Sequence, residues 1–205
     1  MNPAQWLIRT AALAPQAPAL FKGTQLEANY AEFLDRVAAL ASGLHAQYGV
    51  RKGDRVAVFM SNCTEYLEAL YAIWFLGAVA VPINAKLHAK EAAWIIVDAQ
   101  AKLAFVSDHT ECALQEVAPA CLKNLLDVQG AICAQLRQQN PQAAPEQIGA
   151  DELLWLFYTS GTTGRPKGVM ITAGNITAMA LAYFSDVDEV QPQDAILYAA
   201  PMSHG

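Results

Sequence analysis

Between Tyr30 and Leu44, apolar side chains recur at Tyr30, Phe33, Leu34, Val37, Leu40, Ala41 and Leu44. Steps of three and four put them on one face of a long amphipathic helix, and Gly49 is placed to stop it. Upstream, Asn2 to Ala14 predicts a short helix with Pro3 in its first turn, and Ala19-Leu20-Phe21 predicts a strand entering a turn at Lys22-Gly23-Thr24. Downstream, Lys52-Gly53-Asp54 reads as a turn, and the pattern then changes to short, unbroken apolar runs. Arg55–Met60, Ala78–Ile83 and Leu103–Val106 predict buried strands. Glu65 to Leu76, capped by Thr64 and ended by Gly77, predicts one intervening helix, and Ala89 to Ala99 predicts another. This alternation predicts an α/β fold, a helix-covered and mostly parallel sheet with right-handed crossovers.

Beyond Ser107 the pattern weakens to one helix near Glu111–Val117 and one strand near Leu125–Val128. From Gln135 the chain turns rich in Gln, Pro and Ala, so residues 136–151 predict a linker or long surface loop. Leu153 to Tyr158 then predicts a strand.

Composition narrows the function. The 205 residues suffice for one large α/β domain, and 54% apolar against 16% charged residues excludes general disorder. A net charge of -6 argues against a nucleic-acid-binding face. Mean hydropathy is +0.20, yet the uncharged run Ala69 to Ala85 is broken by Pro82, so no transmembrane segment is expected. Arg9, Pro15 and Pro18 interrupt the N-terminal apolar residues, so the reading is no signal peptide and a cytoplasmic protein. Cys63, Cys112, Cys121 and Cys133 lack Cys-x-x-Cys spacing, which predicts free thiols and no metal site.

The candidate chemistry follows the last predicted strand. Residues 158–168 read Tyr-Thr-Ser-Gly-Thr-Thr-Gly-Arg-Pro-Lys-Gly, with three glycines, four Ser or Thr hydroxyls and two cations in eleven positions. Glycine lets backbone N–H groups approach an anion, hydroxyls donate to phosphate oxygens, and Lys167 adds a compact positive charge. Pro166 before the lysine and Gly168 after it exclude a Walker A loop. By composition alone, a phosphate clamp and a plain polar turn are equally open.

The order of Thr159-Ser160-Gly161-Thr162-Thr163-Gly164-Arg165-Pro166-Lys167-Gly168 resembles the phosphate-loop signature of the adenylate-forming superfamily. Tyr30-Ala-Glu-Phe-Leu34, Gly53-Asp54-Arg55-Val56, Asn62, Leu76–Asn84 and Pro201-Met202-Ser203-His204-Gly205 are similar to further family blocks, so the resemblance spans nearly the whole chain. The Pro82-Ile83-Asn84 and Pro201–Gly205 blocks favour acyl-CoA ligases over amino-acid adenylation domains. One departure is Thr172-Ala173-Gly174-Asn175, where the family commonly has Thr-His-x-Asn.

The resemblance implies the N-terminal part of the family's large domain, residues 1–205, with an incomplete second sheet. It implies binding of ATP with Mg2+, activation of a fatty or aryl carboxylic acid as acyl-adenylate, and transfer to CoA as co-substrate. Thr159, Ser160, Gly161, Thr162, Thr163, Gly164 and Lys167 would hold the phosphates, and His204 would flank the acyl pocket. The catalytic lysine of the family's C-terminal domain lies outside this sequence, so no catalytic residue is expected within it. The isolated chain is expected to be inactive in adenylation. Its unpaired apolar surfaces predict self-association, a homodimer in the simplest case, or poor solubility. Competing readings are a naturally short, non-catalytic nucleotide- or partner-binding module and part of an amino-acid adenylation domain.

Overall fold

The computed structural model describes residues 1–117, 124–159 and 166–204. The first elements are α1 (Ala4–Leu13), the hairpin β1 (Pro18–Lys22) and β2 (Gln25–Asn29), and α2 (Tyr30–Tyr48). A capping box starts α2: the Glu32 N–H donates to Asn29 Oδ1 and the Asn29 N–H donates to Glu32 Oε2, both at 2.9 Å. The Tyr-x-Glu block therefore has a local physical cause, since an acidic residue at the third helical position satisfies a free N-terminal donor. Gly49 closes α2 in the left-handed conformation, as the sequence predicts.

Then follow β3 (Arg55–Phe59), α3 (Thr64–Phe75), β4 (Val79–Ile83), α4 (Ala89–Asp98), β5 (Leu103–Val106), α5 (Asp108–Gln115), β6 (Leu125–Asp127) and α6 (Ala131–Leu136). The chain continues through β7 (Leu153–Thr159), β8 (Lys167–Thr172) and α7 (Ala173–Asp186) to a 3₁₀ turn at Met202–His204. The main sheet has the order β6-β5-β3-β4-β7-β8. β3 pairs in parallel with β4 and β5, β5 with β6, and β4 with β7, while β7 and β8 are antiparallel.

Alternate side chains along each strand enter opposite faces. Val56, Val58, Ala80, Leu103 and Phe105 pack with α1, α2, α3 and α6 on one side. Ala57, Phe59, Val81, Ile83, Ala104 and Val106 pack with α4 and α5 on the other. Both faces are thus covered, which explains why these strands read as unbroken apolar runs.

Several expectations need correction. Thr64 does not cap α3: Cys63 occupies the cap position without a side-chain cap bond, and Thr64 Oγ1 donates to Glu65 Oε2. The strands β2 and β8 and the helices α6 and α7 were not predicted. Past the end of α6, residues 137–150 form no helix or strand, and they lie against the same body. The Glu146 N–H donates to the Phe75 carbonyl at 2.8 Å, and Lys52 Nζ donates to the Gln147 carbonyl at 2.8 Å.

Gly77 ends α3 with φ +64, and a Cβ there would lie 3.1 Å from Glu146 Cβ and 3.2 Å from Lys52 Cγ. Gly77→Ala combines backbone strain with crowding. It is expected to lower unfolding stability by about 1 kcal/mol or more, read from the urea midpoint. An unchanged midpoint would refute both causes.

Candidate functional site

The parallel pairing of β3, β4 and β7 sets their C-terminal ends on one sheet edge. Open α/β sheets characteristically bind ligands at this edge. Three of the singled-out sequence blocks meet there: Asn62 just beyond β3, Asn84 directly after β4, and Thr159 at the end of β7.

Thr159 and Lys167 are paired residues of the β7–β8 ladder. Their pairing brings the two flanks of the motif side by side at the end of the ladder. Ser160, Gly161, Thr162, Thr163, Gly164 and Arg165 lie outside the described residues. Both flanking residues, Thr159 and Lys167, are exposed. A hydroxyl and an ammonium at paired positions form a donor set suited to anionic oxygens.

Gly168 is paired with Tyr158, and a Cβ on it would sit 3.0 Å from Tyr158 Cζ. The last glycine of the motif thus makes room for an aromatic ring. That ring reaches across the other face of β7, where Tyr158 Oη donates to Asp98 Oδ2 at 2.6 Å. Burial, then the Asp98 hydrogen bond and charge, push the phenol well above the ordinary tyrosine range. A shallow depression of about 440 Å³ lies on this side, bordered by Arg55, Gln100 and Met170.

On the opposite face of β7, a row of edge-to-face rings leads from the core to the sheet edge. Trp74 meets Trp155 at 5.4 Å between centroids, Trp155 meets Phe157 at 6.4 Å, and Phe157 meets His204 at 6.5 Å. His204 is exposed, but its ring is held from two sides. Phe157 packs against it, and Asn84 Nδ2 lies 2.9 Å from its Nε2. Asn62 fastens the preceding turn: its Nδ2 donates to the carbonyls of Tyr198 at 3.2 Å and Ala200 at 2.7 Å, and its Oδ1 accepts from the Met202 N–H at 2.8 Å. Ser203 is buried, and its Oγ finds no partner among the described residues.

Other titratable side chains have structural roles. Glu65 lies in the first turn of α3; burial opposes its ionisation, but hydrogen bonds from its own N–H, Cys63, Gln129 and Thr64 outweigh that and hold the carboxyl below the usual range. Burial, reinforced by Glu65, pushes the Cys63 thiol up to about 12, and burial pushes Cys133 up to about 11, so neither is a ready nucleophile. His88 caps α4 by accepting the Lys90 N–H on Nδ1 at 3.2 Å. Where the family commonly has histidine, Ala173 is fully buried and its N–H donates to the Glu152 carbonyl at 2.9 Å. Among the described residues, no group of three His, Cys, Asp or Glu could hold a metal ion, and no helix is long and apolar enough to cross a membrane.

Known proteins extend this picture. A feruloyl-CoA synthase from Amycolatopsis sp is 38% identical over 200 residues, covering 97% of this chain and 39% of the relative. The long-chain-fatty-acid–CoA ligase FadD13 of Mycobacterium tuberculosis is 30% identical over 206 residues, covering 97% of this chain and 40% of the relative. The chain therefore spans about two fifths of the length of these curated relatives. Among solved structures, the N-terminal domain of FACL13 from Mycobacterium tuberculosis superposes with TM-score 0.89 at 28% identity, over 99% of this chain and 52% of that one. The O-succinylbenzoate Coenzyme A synthetase of Bacillus subtilis, in complex with ATP and magnesium ion, gives TM-score 0.80 at 28% identity, over 97% of this chain and 51% of that one. The family described as AMP-binding enzyme matches residues 7–205, and to that family this chain belongs.

Proposed function

We propose that the chain forms the phosphate-binding and acyl-side portion of an ATP-dependent acid–thiol ligase that activates a fatty or aryl carboxylic acid and transfers it to CoA. The observation that carries this reading is the antiparallel β7–β8 pair, whose paired Thr159 and Lys167 flank the glycine- and hydroxyl-rich stretch of the sequence. Bound Mg-ATP would supply the adenylyl group that activates the carboxylate as acyl-adenylate, with pyrophosphate as the leaving group. The Thr159 hydroxyl and Lys167 ammonium would hold phosphate oxygens, with Ser160, Gly161, Thr162, Thr163 and Gly164 completing the cradle. His204, held at the same sheet edge, would flank the acid. The named relatives are CoA ligases for ferulate, long-chain fatty acids and 2-succinylbenzoate. They disfavour the amino-acid adenylation and non-catalytic module readings.

The test is carboxylate-dependent ATP–pyrophosphate exchange in a polypeptide that continues through the adenine-binding and C-terminal segments, with a panel of hydroxycinnamic, succinylbenzoic and long-chain fatty acids. Exchange with one acid class, followed by CoA-dependent AMP release, is expected. Exchange only with amino acids, or with no acid at all, would overturn the reading. The 205-residue chain alone is expected to give no exchange.

Exposed apolar side chains gather on β8, α7 and the segment after it: Met170, Met179, Leu181, Phe184, Val187, Ile196 and Leu197. This accumulation of exposed apolar side chains supports association of the chain with a second copy. Light scattering is expected to return twice the chain mass of 22.1 kDa. A monodisperse monomer would count against a homodimer.

A further inference from the structure

We infer that Asn84 is a positioning residue that fixes His204 in a single tautomer, with Nε2 as acceptor and the proton on Nδ1. An asparagine amide and an imidazole can bond in two ways, and the environment of the amide decides between them. Here the Lys86 N–H donates to Asn84 Oδ1 at 3.0 Å. The amide oxygen is therefore committed to the turn after β4, and the NH2 group is the one facing His204 Nε2 at 2.9 Å. A donor faces Nε2, so Nε2 accepts and the neutral ring carries its hydrogen on Nδ1.

The ring itself is not free to turn away. Asn62 uses both functions of its own amide to hold the residues on either side of Pro201, and Phe157 packs against the imidazole. Two asparagines from separate sequence blocks thus act on one histidine: Asn62 sets where it sits and Asn84 sets which nitrogen donates. Nδ1–H is then the donor that His204 offers, and it suits an acceptor oxygen such as that of a carboxylate. This functional meaning rests on the proposed ligase reading; the tautomer does not.

The experiment is a long-range 1H–15N spectrum of the 15N-histidine-labelled chain at about pH 8, above the ordinary histidine range. The His204 resonance is assigned by its loss in His204→Gln. The expected wild-type pattern has a bare, pyridine-like Nε2. In Asn84→Asp, both oxygens accept, so Nε2 is expected to gain a proton while the other histidines keep their patterns. Unchanged chemical-shift dispersion shows that the variant remains folded. A proton on Nε2 in the wild type, or a bare Nε2 in Asn84→Asp, would overturn the inference. Octanoate added to the wild-type chain separates the two claims. A His204 shift supports the acyl-side reading. No shift with the Nδ1–H pattern intact counts against that reading and leaves the tautomer assignment standing.

Discussion

Replacing Glu68 with alanine is expected to remove about 3–5 kcal/mol of folding stability, the usual result of leaving a buried ion pair half-broken. Glu68 is 2% exposed, in the middle of α3. Its Oε1 accepts from Arg36 Nη1 at 3.2 Å and its Oε2 from Arg137 Nε at 2.6 Å. The two guanidiniums reach onward: Arg36 Nη2 donates to the Glu27 carbonyl and Arg137 Nη1 to the Val128 carbonyl, each at 3.0 Å. One carboxylate therefore ties β2, α2, α3 and the segments flanking α6 together. Alanine leaves Arg137, whose side chain is only 16% exposed, as a buried charge without its counter-ion. Domain stabilities of about 5–15 kcal/mol make such a loss a large share of the total. Urea unfolding reads the effect directly. A loss below about 1 kcal/mol would mean that the cluster behaves like a solvated surface pair. Replacing Glu68, Arg36 and Arg137 together by apolar residues of similar volume is expected to recover much of the loss, since the cost lies in the orphaned charges.

Lys167→Ala, made in the longer polypeptide, is expected to lower acid-dependent ATP–pyrophosphate exchange by about 10²–10³-fold, the scale for removing one preorganised electrostatic contact to developing charge. The lysine starts β8 opposite Thr159, so its backbone is held by the ladder while its side chain is exposed. For that reason folding stability is expected to change by no more than about 0.5 kcal/mol, which separates loss of activity from loss of fold. Lys167→Arg retains the charge but replaces a compact ammonium by a planar fork, and is expected to restore activity only in part. A loss under tenfold for the alanine variant would remove Lys167 from the phosphate site.

The elements missed in the sequence each have a reason. β2, Gln-Leu-Glu-Ala-Asn, offers only Leu26 and Ala28 as apolar positions, and it exists because it pairs with β1. β8 begins on the motif lysine, so its first residues read as part of a polar loop. α7 announces itself through the Thr172–Asn175 capping box, the two positions of that block that match the family pattern around the departure at Ala173, and capping logic would have read the pair as a helix start. Six-residue α6 carries too few turns for a periodic signal, and its Cys133 and Leu136 are buried against elements far away in sequence.

Local chemistry was enough for much of this protein. The i, i+3, i+4 face of α2, the apolar runs of β3, β4 and β5, and the left-handed glycines at 49 and 77 follow from neighbours within one or two turns, because periodicity, propensity and φ are short-range properties. The order Thr-Ser-Gly-Thr-Thr-Gly-x-Pro-Lys-Gly was likewise legible as candidate anion chemistry. Tertiary structure alone decided which distant residues share a site. Asn62 meets Met202 across 140 positions, Asn84 meets His204 across 120, and Glu68 meets Arg137 across 69. These contacts depend on strand order and on helix packing over both faces of the sheet. Hydrogen-bond partners at such separations leave no periodic trace in the chain that could have predicted them.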